Sequence, residues 1–293
     1  MPTIIKESTE DSPGIISFTG GEALFGLPSI SKKVKQFLES ETSQGRWLFG
    51  VHIQGNFSNL GIWPDEPWHS FILWPNPGAP YLSNVRGKVI PFSCINFLPK
   101  NLATTTKNSP EYDMCVITRA AGVKNIKTSI QIVKQMLNLR PQFQCVMVVP
   151  DSRVVKKRKI KSTPSETFYF QNLTKMFTSK ELKNISFISS SIDSFGKFPL
   201  SGSFVSNIIK DSKFLMLNSH SEGTPRVLAE ALLLGTPCII SENLSSGINH
   251  FMNSRNSIVI SDEPKIAASQ IDAGLEKYTE LYEVDRNDAE THF

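Results

Sequence analysis

With 293 residues, 40% hydrophobic side chains and a net charge of +4, the chain is long enough to bury the cores of two domains and too weakly charged to announce a nucleic-acid partner. No run approaches the roughly 20 apolar residues that cross a bilayer, and residues 1–8 lack the basic-then-apolar form of a secretion signal, so the sequence reads as cytoplasmic. The four cysteines, Cys94, Cys115, Cys145 and Cys238, are scattered through mostly apolar runs, which favours buried thiols over disulfides or zinc; no metal is expected.

In the first hundred residues, 15–18 read as a strand followed by Gly20 and Gly21, then 29–38 as a helix, together a βα unit. Two adjacent glycines let backbone approach a phosphate closely, though a tight turn uses them as well. Residues 47–53 form a second strand ending near His52, and 70–73 a third, just after His69 and the aromatic stretch from Trp63 to Trp68. His52 and His69 are candidate pocket residues, against a structural or surface role for each. Trp63, Trp68 and Trp74 fit sugar stacking, a core or an interface equally.

From about residue 113 to 273, short apolar runs alternate with amphipathic stretches in the rhythm of a doubly wound parallel sheet. Strands are expected at 114–118, 145–149, 185–188, 214–217, 238–240 and 258–260. Ile126, Ile130, Val133 and Leu137 recur at helical spacing, which predicts a helix over Ile126–Leu139. Residues 151–167, rich in charge and Pro, read as a loop; its cluster Lys156, Lys157, Arg158, Lys159 and Lys161 is a solvated run or a contact for phosphate, including a peripheral membrane surface. Residues 203–210 and 225–234 supply two more crossover helices. Ligands of such sheets bind at the carboxyl ends of strands, where Arg119 and Glu222 both fall.

The stretch Ser219-His-Ser-Glu-Gly-Thr-Pro-Arg-Val-Leu-Ala-Glu230 reads as strand, loop, helix, with Thr224 as cap and Pro225 at the first helical position. The backbone N–H groups of Gly223, Thr224, Arg226 and Val227 then point from the helix N-terminus beside its positive dipole end, a natural place for phosphate oxygens. Glu230 emerges among apolar neighbours, where a carboxylate needs a partner and a ribose diol supplies two donors. A capping box of Ser219 and Glu222 is the competing reading. Arg119 and Lys124 are either a solvent-facing pair at a helix start or the holders of an anion, without which basic side chains are disfavoured there. Two fixed cations stabilise charge on a bound phosphate group, at about 3–4 kcal/mol for each well-placed donor.

Glu222-Gly-Thr-Pro-Arg-Val-Leu-Ala-Glu230, closed by Gly235-Thr-Pro237 and a β run, resembles the E-x7-E signature of retaining glycosyltransferases of the GT-B type, the group 1 sugar transferases. Cys115-Val-Ile-Thr-Arg119 with Ala-Ala-Gly-Val-Lys124 resembles the family's strand-to-helix turn, whose Arg and Lys hold the donor diphosphate. The family usually has Gly after that Lys; this chain has Asn125. Val89-Ile-Pro-Phe-Ser-Cys-Ile-Asn-Phe-Leu-Pro99 is similar to the segment closing the family's first domain.

The resemblance implies an α/β GT-B fold of two Rossmann-like domains facing across a cleft, the N-terminal one abbreviated. Residues 1–109 would be the acceptor side, 110–275 the nucleotide-sugar domain, and 276–293 a tail forming a partial crossover helix or a frayed end. It further implies a retaining hexosyltransferase using a nucleotide-diphosphate sugar and a glycan, lipid-linked or small-molecule acceptor. No cofactor or metal is implied. Arg119, Lys124 and Glu222 are the catalytic candidates, Gly223, Thr224, Pro225, Arg226, Val227 and Glu230 the donor-binding ones, and Gly20, Gly21, His52 and His69 the acceptor-side ones, either histidine taking the family's histidine role near the sugar. A catalytically degenerate nucleotide-binding scaffold is the alternative, and a GT-B phosphorylase or epimerase a third.

Overall fold

The computed structural model describes residues 3–19, 32–53, 62–74, 82–90, 110–118, 122–149, 154–156, 159–161, 175–188, 200–222, 225–246, 248 and 251–278. The chain divides into two compact units, Met1–Asn96 with Glu222–Thr224, and Phe97–Ser221 with Pro225–Phe293.

In the first unit, β1 (Thr3–Lys6) pairs antiparallel with β2 (Gly14–Thr19). From β2 onward the pairing is parallel through β3 (Trp47–His52), β4 (His69–Leu73) and β5 (Val89–Ile90), in the order β1-β2-β3-β4-β5. Helix α1 (Lys32–Ser43) links β2 to β3, as parallel neighbours require. It reaches Ser43, beyond the expected end at 38, and ion pairs Glu41–Arg46 and Lys35–Glu66 tie it to its surroundings. Strands β1 and β5 were not legible in the sequence: β1 is four residues with Ile4 and Ile5 both 54% exposed, and β5 is two residues. Phe49, Val51 and Ile72 form a core with Leu38, Leu82 and Val85. Trp63, Trp68 and Trp74 belong to that core, so among their three expected roles the buried one applies.

The second unit carries a wholly parallel sheet of β6 (Tyr112–Ile117), β7 (Cys145–Val148), β10 (Ile185–Ile188), β11 (Ser212–Leu217), β12 (Cys238–Ser241) and β13 (Ser257–Ile260). These fall within a residue or two of the expected strands. Helix α2 spans Ile126–Leu139 as its periodicity predicts, and its buried face, Ile126, Ile130, Val133, Met136 and Leu137, packs with Met114, Val116, Phe214 and Met216. Each such side chain contributes about 1.5–3 kcal/mol on leaving water. α3 (Gly202–Lys210) begins at Ser201, whose hydroxyl accepts from Phe204 N, and α4 (Arg226–Leu233) packs on β11 and β12.

Two expectations change. Within 151–167, read as a loop, β8 (Val154–Lys156) and β9 (Lys159–Lys161) pair as an antiparallel hairpin, the β-branched Val154, Val155 and Ile160 outweighing the intervening charges. A helix not singled out in the sequence, α5 (Pro264–Glu276), follows β13. The Glu263 side chain accepts from the N–H groups of Lys265 and Ile266, and Ala267, Ala268, Ile271 and Leu275 join the core beside α2. Arg140 secures it through Asp272 and Glu276. Tyr278 then stands edge-on to Phe214 at 5.4 Å between ring centroids; residues 279–293, the rest of the expected tail, lie outside the described residues. Among the described residues no helix is long and apolar enough to cross a membrane.

Candidate active site

The strand order of the second unit, β10-β7-β6-β11-β12-β13, reads 3-2-1-4-5-6 in chain order. Its direction of travel therefore reverses between β6 and β11. Crossovers from these two neighbours leave on opposite faces, which opens a crevice at their carboxyl ends where ligands of such sheets bind. The turns expected to carry the diphosphate cations and the first glutamate follow these same two strands.

After β6 the backbone tightens into a 3-10 turn, Gly122–Lys124, and Asn125 then sets the start of α2 at φ 48°, ψ 39°. Among the described residues it is the one non-glycine with positive φ. The family's usual glycine suits this left-handed conformation, and asparagine is among the few other residues that adopt it routinely. Asn125 also does what glycine cannot. Its Oδ1 accepts from Thr128 Oγ1 at 2.7 Å and its Nδ2 lies 3.1 Å from His220 Nε2 on the turn after β11. Lys124 is half-buried immediately before it. Arg119 lies outside the described residues.

After β11 come Asn218, Ser219, His220, Ser221 and Glu222; Ser221 bridges in parallel to Ser245, and Glu222 is half-buried in irregular backbone. Gly223 and Thr224 lie outside the described residues. The helix begins at Arg226, one residue later than expected. Pro225, at φ −70° and ψ 106°, is extended, and its carbonyl accepts the Leu228 N–H at 3.0 Å, so it is the cap and not the first helical residue. Proline has no side chain to accept from the leading amides of Arg226 and Val227.

Glu230 is 17% exposed, and Arg226 Nε donates to its Oε1 at 2.8 Å. The partner this carboxylate needs is thus supplied within the chain. Desolvation still outweighs the guanidinium and holds Glu230 above the ordinary carboxylate range.

A polar network, largely unread in the sequence, knits the same edge. Asp262, just past β13, accepts from Ser241 Oγ at 2.8 Å and from Asn243 Nδ2 at 2.7 Å, and its Oδ2 stands 3.0 Å from His220 Nε2. Burial raises the Asp262 pKa, but bonds from Asn243, Ser241 and His220 outweigh it and hold it below the usual value. His220 also donates its backbone N–H to Val123 O at 3.4 Å and accepts from Ser245 N at 2.9 Å. One residue therefore joins the turn carrying Lys124 to the loops after β12 and β13. The signal available in the sequence was positional: Ser241, Asn243 and Asp262 are polar residues at the ends of apolar strand runs, the edge where doubly wound sheets do their chemistry.

In the first unit the two histidines separate. His52 ends β3 at the carboxyl edge, half-buried, with Nδ1 3.0 Å from Ser17 Oγ. His69 begins β4 and is 2% exposed against Trp68, with desolvation lowering its pKa to about 4. It is a neutral core side chain at the opposite end of its strand. Gly20 and Gly21 lie outside the described residues.

Known proteins share this architecture. The crystal structure of Anabaena HepE in complex with UDP and glucose superposes with a TM-score of 0.58 at 16% identity, covering 90% of this chain and 72% of that one. The UDP-forming α,α-trehalose-phosphate synthase of Burkholderia xenovorans gives 0.58 at 10% identity, covering 94% and 68%. The trehalose 6-phosphate synthase of Burkholderia multivorans gives 0.55 at 10%, covering 88% and 65%. These likenesses establish the GT-B fold. No curated protein sequence matches the chain. The sequence profile for "Glycosyl transferases group 1" matches residues 99–289, most of the chain and the whole of the parallel sheet with its switch-point turns. The chain belongs to the group 1 glycosyl transferases.

Proposed function

We propose that the protein moves a hexose-type sugar from a nucleoside diphosphate donor to an acceptor hydroxyl with retention of anomeric configuration, and that its second unit holds the donor. The observation carrying this reading is the strand order, which sets the turn bearing Lys124 and the start of α4 on neighbouring strands at the switch point. Lys124, with Arg119, draws charge onto the leaving diphosphate. The leading amides of α4 meet phosphate or sugar oxygens, Glu230 anchors the ribose, and Glu222 orients sugar hydroxyls. The bond from the anomeric carbon to the diphosphate oxygen breaks, the acceptor oxygen bonds to that carbon on the same face, and the acceptor's proton passes to the departing phosphate. Nucleoside diphosphate and glycoside leave, and no separate protein base is required. His52 is the acceptor-side candidate favoured by its position on a carboxyl edge.

Because HepE was crystallised with UDP and glucose and a trehalose-phosphate synthase of the same fold is UDP-forming, UDP-glucose is the first donor to test. A panel of nucleotide sugars screened for thermal stabilisation, then for nucleoside diphosphate release with acceptors, decides the matter. Lys124→Ala and Glu222→Ala should abolish release with the fold intact, and retained turnover removes that residue from the mechanism. Stabilisation without release by any acceptor identifies a non-catalytic nucleotide-binding module instead.

A further inference from the structure

Most buried polar side chains among the second unit's described residues are satisfied. Ser212 Oγ donates to Ile208 O at 2.7 Å, Thr236 Oγ1 to Ile209 O at 3.0 Å and Ser129 Oγ to Asn125 O at 3.2 Å. Among this unit's described residues, the buried side-chain polar atoms without a hydrogen-bond partner are Thr118 Oγ1, Asn218 Nδ2, Asn218 Oδ1 and Ser219 Oγ. All four sit just past the ends of β6 and β11, on the two strands that flank the switch point. The residues are 8%, 2% and 0% exposed respectively. Proteins rarely leave one such atom unmet, and a cluster of them marks either a functional site or a missing partner.

The register, continued two residues past its last pair, sets two of them opposite each other. β11 and β6 pair Phe214 with Met114 and Met216 with Val116, and two residues further along each strand lie Asn218 and Thr118. Thr118 N still donates to Val148 O of β7 at 3.0 Å, so β6 stays in the sheet as far as Thr118. Period-two alternation puts both side chains on one face of the sheet, at its carboxyl edge.

We propose that Thr118 and Asn218 form a socket that reads a hydroxyl group of the donor, an inference that rests on the donor reading above. The chemistry selects a hydroxyl. A phosphate oxygen accepts from Nδ2 but leaves Oδ1 unmet, and a cation does the reverse. A sugar hydroxyl accepts from the amide N–H and donates to Thr118 Oγ1, whose own hydrogen is then free to donate to the amide oxygen, satisfying the pair. A site built to bond a substrate hydroxyl rejects the analogue that lacks it far more strongly than an apolar pocket rejects a methylene, because the buried partners are then stranded. Thr118 and Asn218 thereby set which sugar nucleotide is accepted.

The test uses the full chain, the nucleotide sugar that stabilises the wild type, and deoxy versions of that donor lacking one ribose or hexose hydroxyl each. Thr118→Val and Asn218→Leu keep shape while removing the polar atoms. Wild-type affinity should fall about tenfold or more for one particular deoxy donor. Both variants should lose about as much for the complete donor yet bind that deoxy donor as the wild type does, with no drop in thermal midpoint. If the variants keep wild-type affinity within about twofold, or lose it equally for complete and deoxy donors, the socket is structural only and the proposal falls. Thr118→Val, the smaller change, decides the case alone should Asn218→Leu fail to fold. Absence of any nucleotide-sugar binding by the wild type is read before the variants, and overturns the donor assignment together with the socket.

Discussion

A single backbone angle at Asn125 shapes the turn that presents Lys124. At φ 48° the position tolerates glycine and asparagine, whereas a residue with a branched Cβ meets the carbonyl oxygen and costs about 1–2 kcal/mol. Asn125→Gly should therefore keep the turn and lose only the links to Thr128 and His220, while Asn125→Val should lower stability by about that amount and weaken donor binding as well. Urea unfolding and nucleotide titration of both variants check this; equal behaviour of the two would show that conformation is not what the position requires. Glu230 offers a pH test. Its pKa is raised by desolvation despite Arg226, so the folded state holds the proton longer than the unfolded chain does, and stability falls as pH climbs above the ordinary glutamate value of 4.5. Glu230→Gln removes that loss. The variant should melt higher than the wild type at pH 7, with the gap closing near pH 4, and should bind nucleotide less tightly because its amide keeps one acceptor oxygen where the carboxylate offers two to a ribose diol. A variant no more stable at pH 7 would mean that the Arg226 ion pair outweighs burial.

Elements with a strong local pattern were legible, and those set by a few special residues were not. α2 is predicted to the residue because Ile126, Ile130, Val133 and Leu137 mark one face without interruption. α4 begins one residue late because Pro225 suits either the cap or the first helical position, and only its ψ decides. α5 went unread: its core-facing stripe is Ala267, Ala268, Ile271 and Leu275, half of it alanine, and Glu263 caps where Ser or Asp is the more familiar sign. The end of α4 is written plainly. Gly235 at φ 73° donates to Leu232 O at 3.0 Å, and Thr236 donates to Ala231 O at 2.8 Å, the two bonds of a Schellman motif, with Pro237 barring continuation. Gly235→Ala should cost about 1–2 kcal/mol in denaturant unfolding, because a Cβ at this left-handed φ crowds the following carbonyl oxygen. On the opposite rim of the sheet, burial pushes Asp262 up, yet Asn243, Ser241 and His220 together hold it below the usual aspartate value of 3.8. Its stabilisation is present above pH 3.8 and lost as pH falls through the folded value. Asp262→Asn should therefore be less stable than the wild type at neutral pH, with the deficit shrinking in acid, as parallel melts at neutral pH and in strong acid would show. A constant deficit would assign the loss to packing and not to charge.

At the level of the whole molecule, the rhythm of apolar runs announced a doubly wound sheet, but the order of its strands rests on pairings such as Met114 with Cys145 and Leu215 with Cys238, which no local pattern encodes. The candidate site was half legible for the same reason. Lys124, Glu222 and Glu230 lie in motifs, whereas the His220–Asp262 link and the adjacency of Thr118 and Asn218 exist only once the strands are ordered. In the first unit the tryptophans carried too little context to tell core from ligand platform, and a two-residue β5 leaves almost no trace. Two units with separate cores also predict how the chain melts. If the second unit holds the donor, a ligand that binds the native state alone stabilises it by about 2.7 kcal/mol at a hundredfold excess over Kd. Calorimetry of the full chain with UDP should raise the transition in which the second unit unfolds. Trp47, Trp63, Trp68 and Trp74 all belong to the first unit, so tryptophan emission reports its unfolding separately while far-ultraviolet ellipticity follows both. Lys124→Ala should melt as the wild type does without ligand and lose most of the UDP-induced shift. If UDP and the other nucleoside diphosphates raised the tryptophan-reported transition and left the remaining part of the ellipticity change, which belongs to the second unit, unmoved, the nucleotide would belong to the first unit and the assignment of donor and acceptor sides would be reversed.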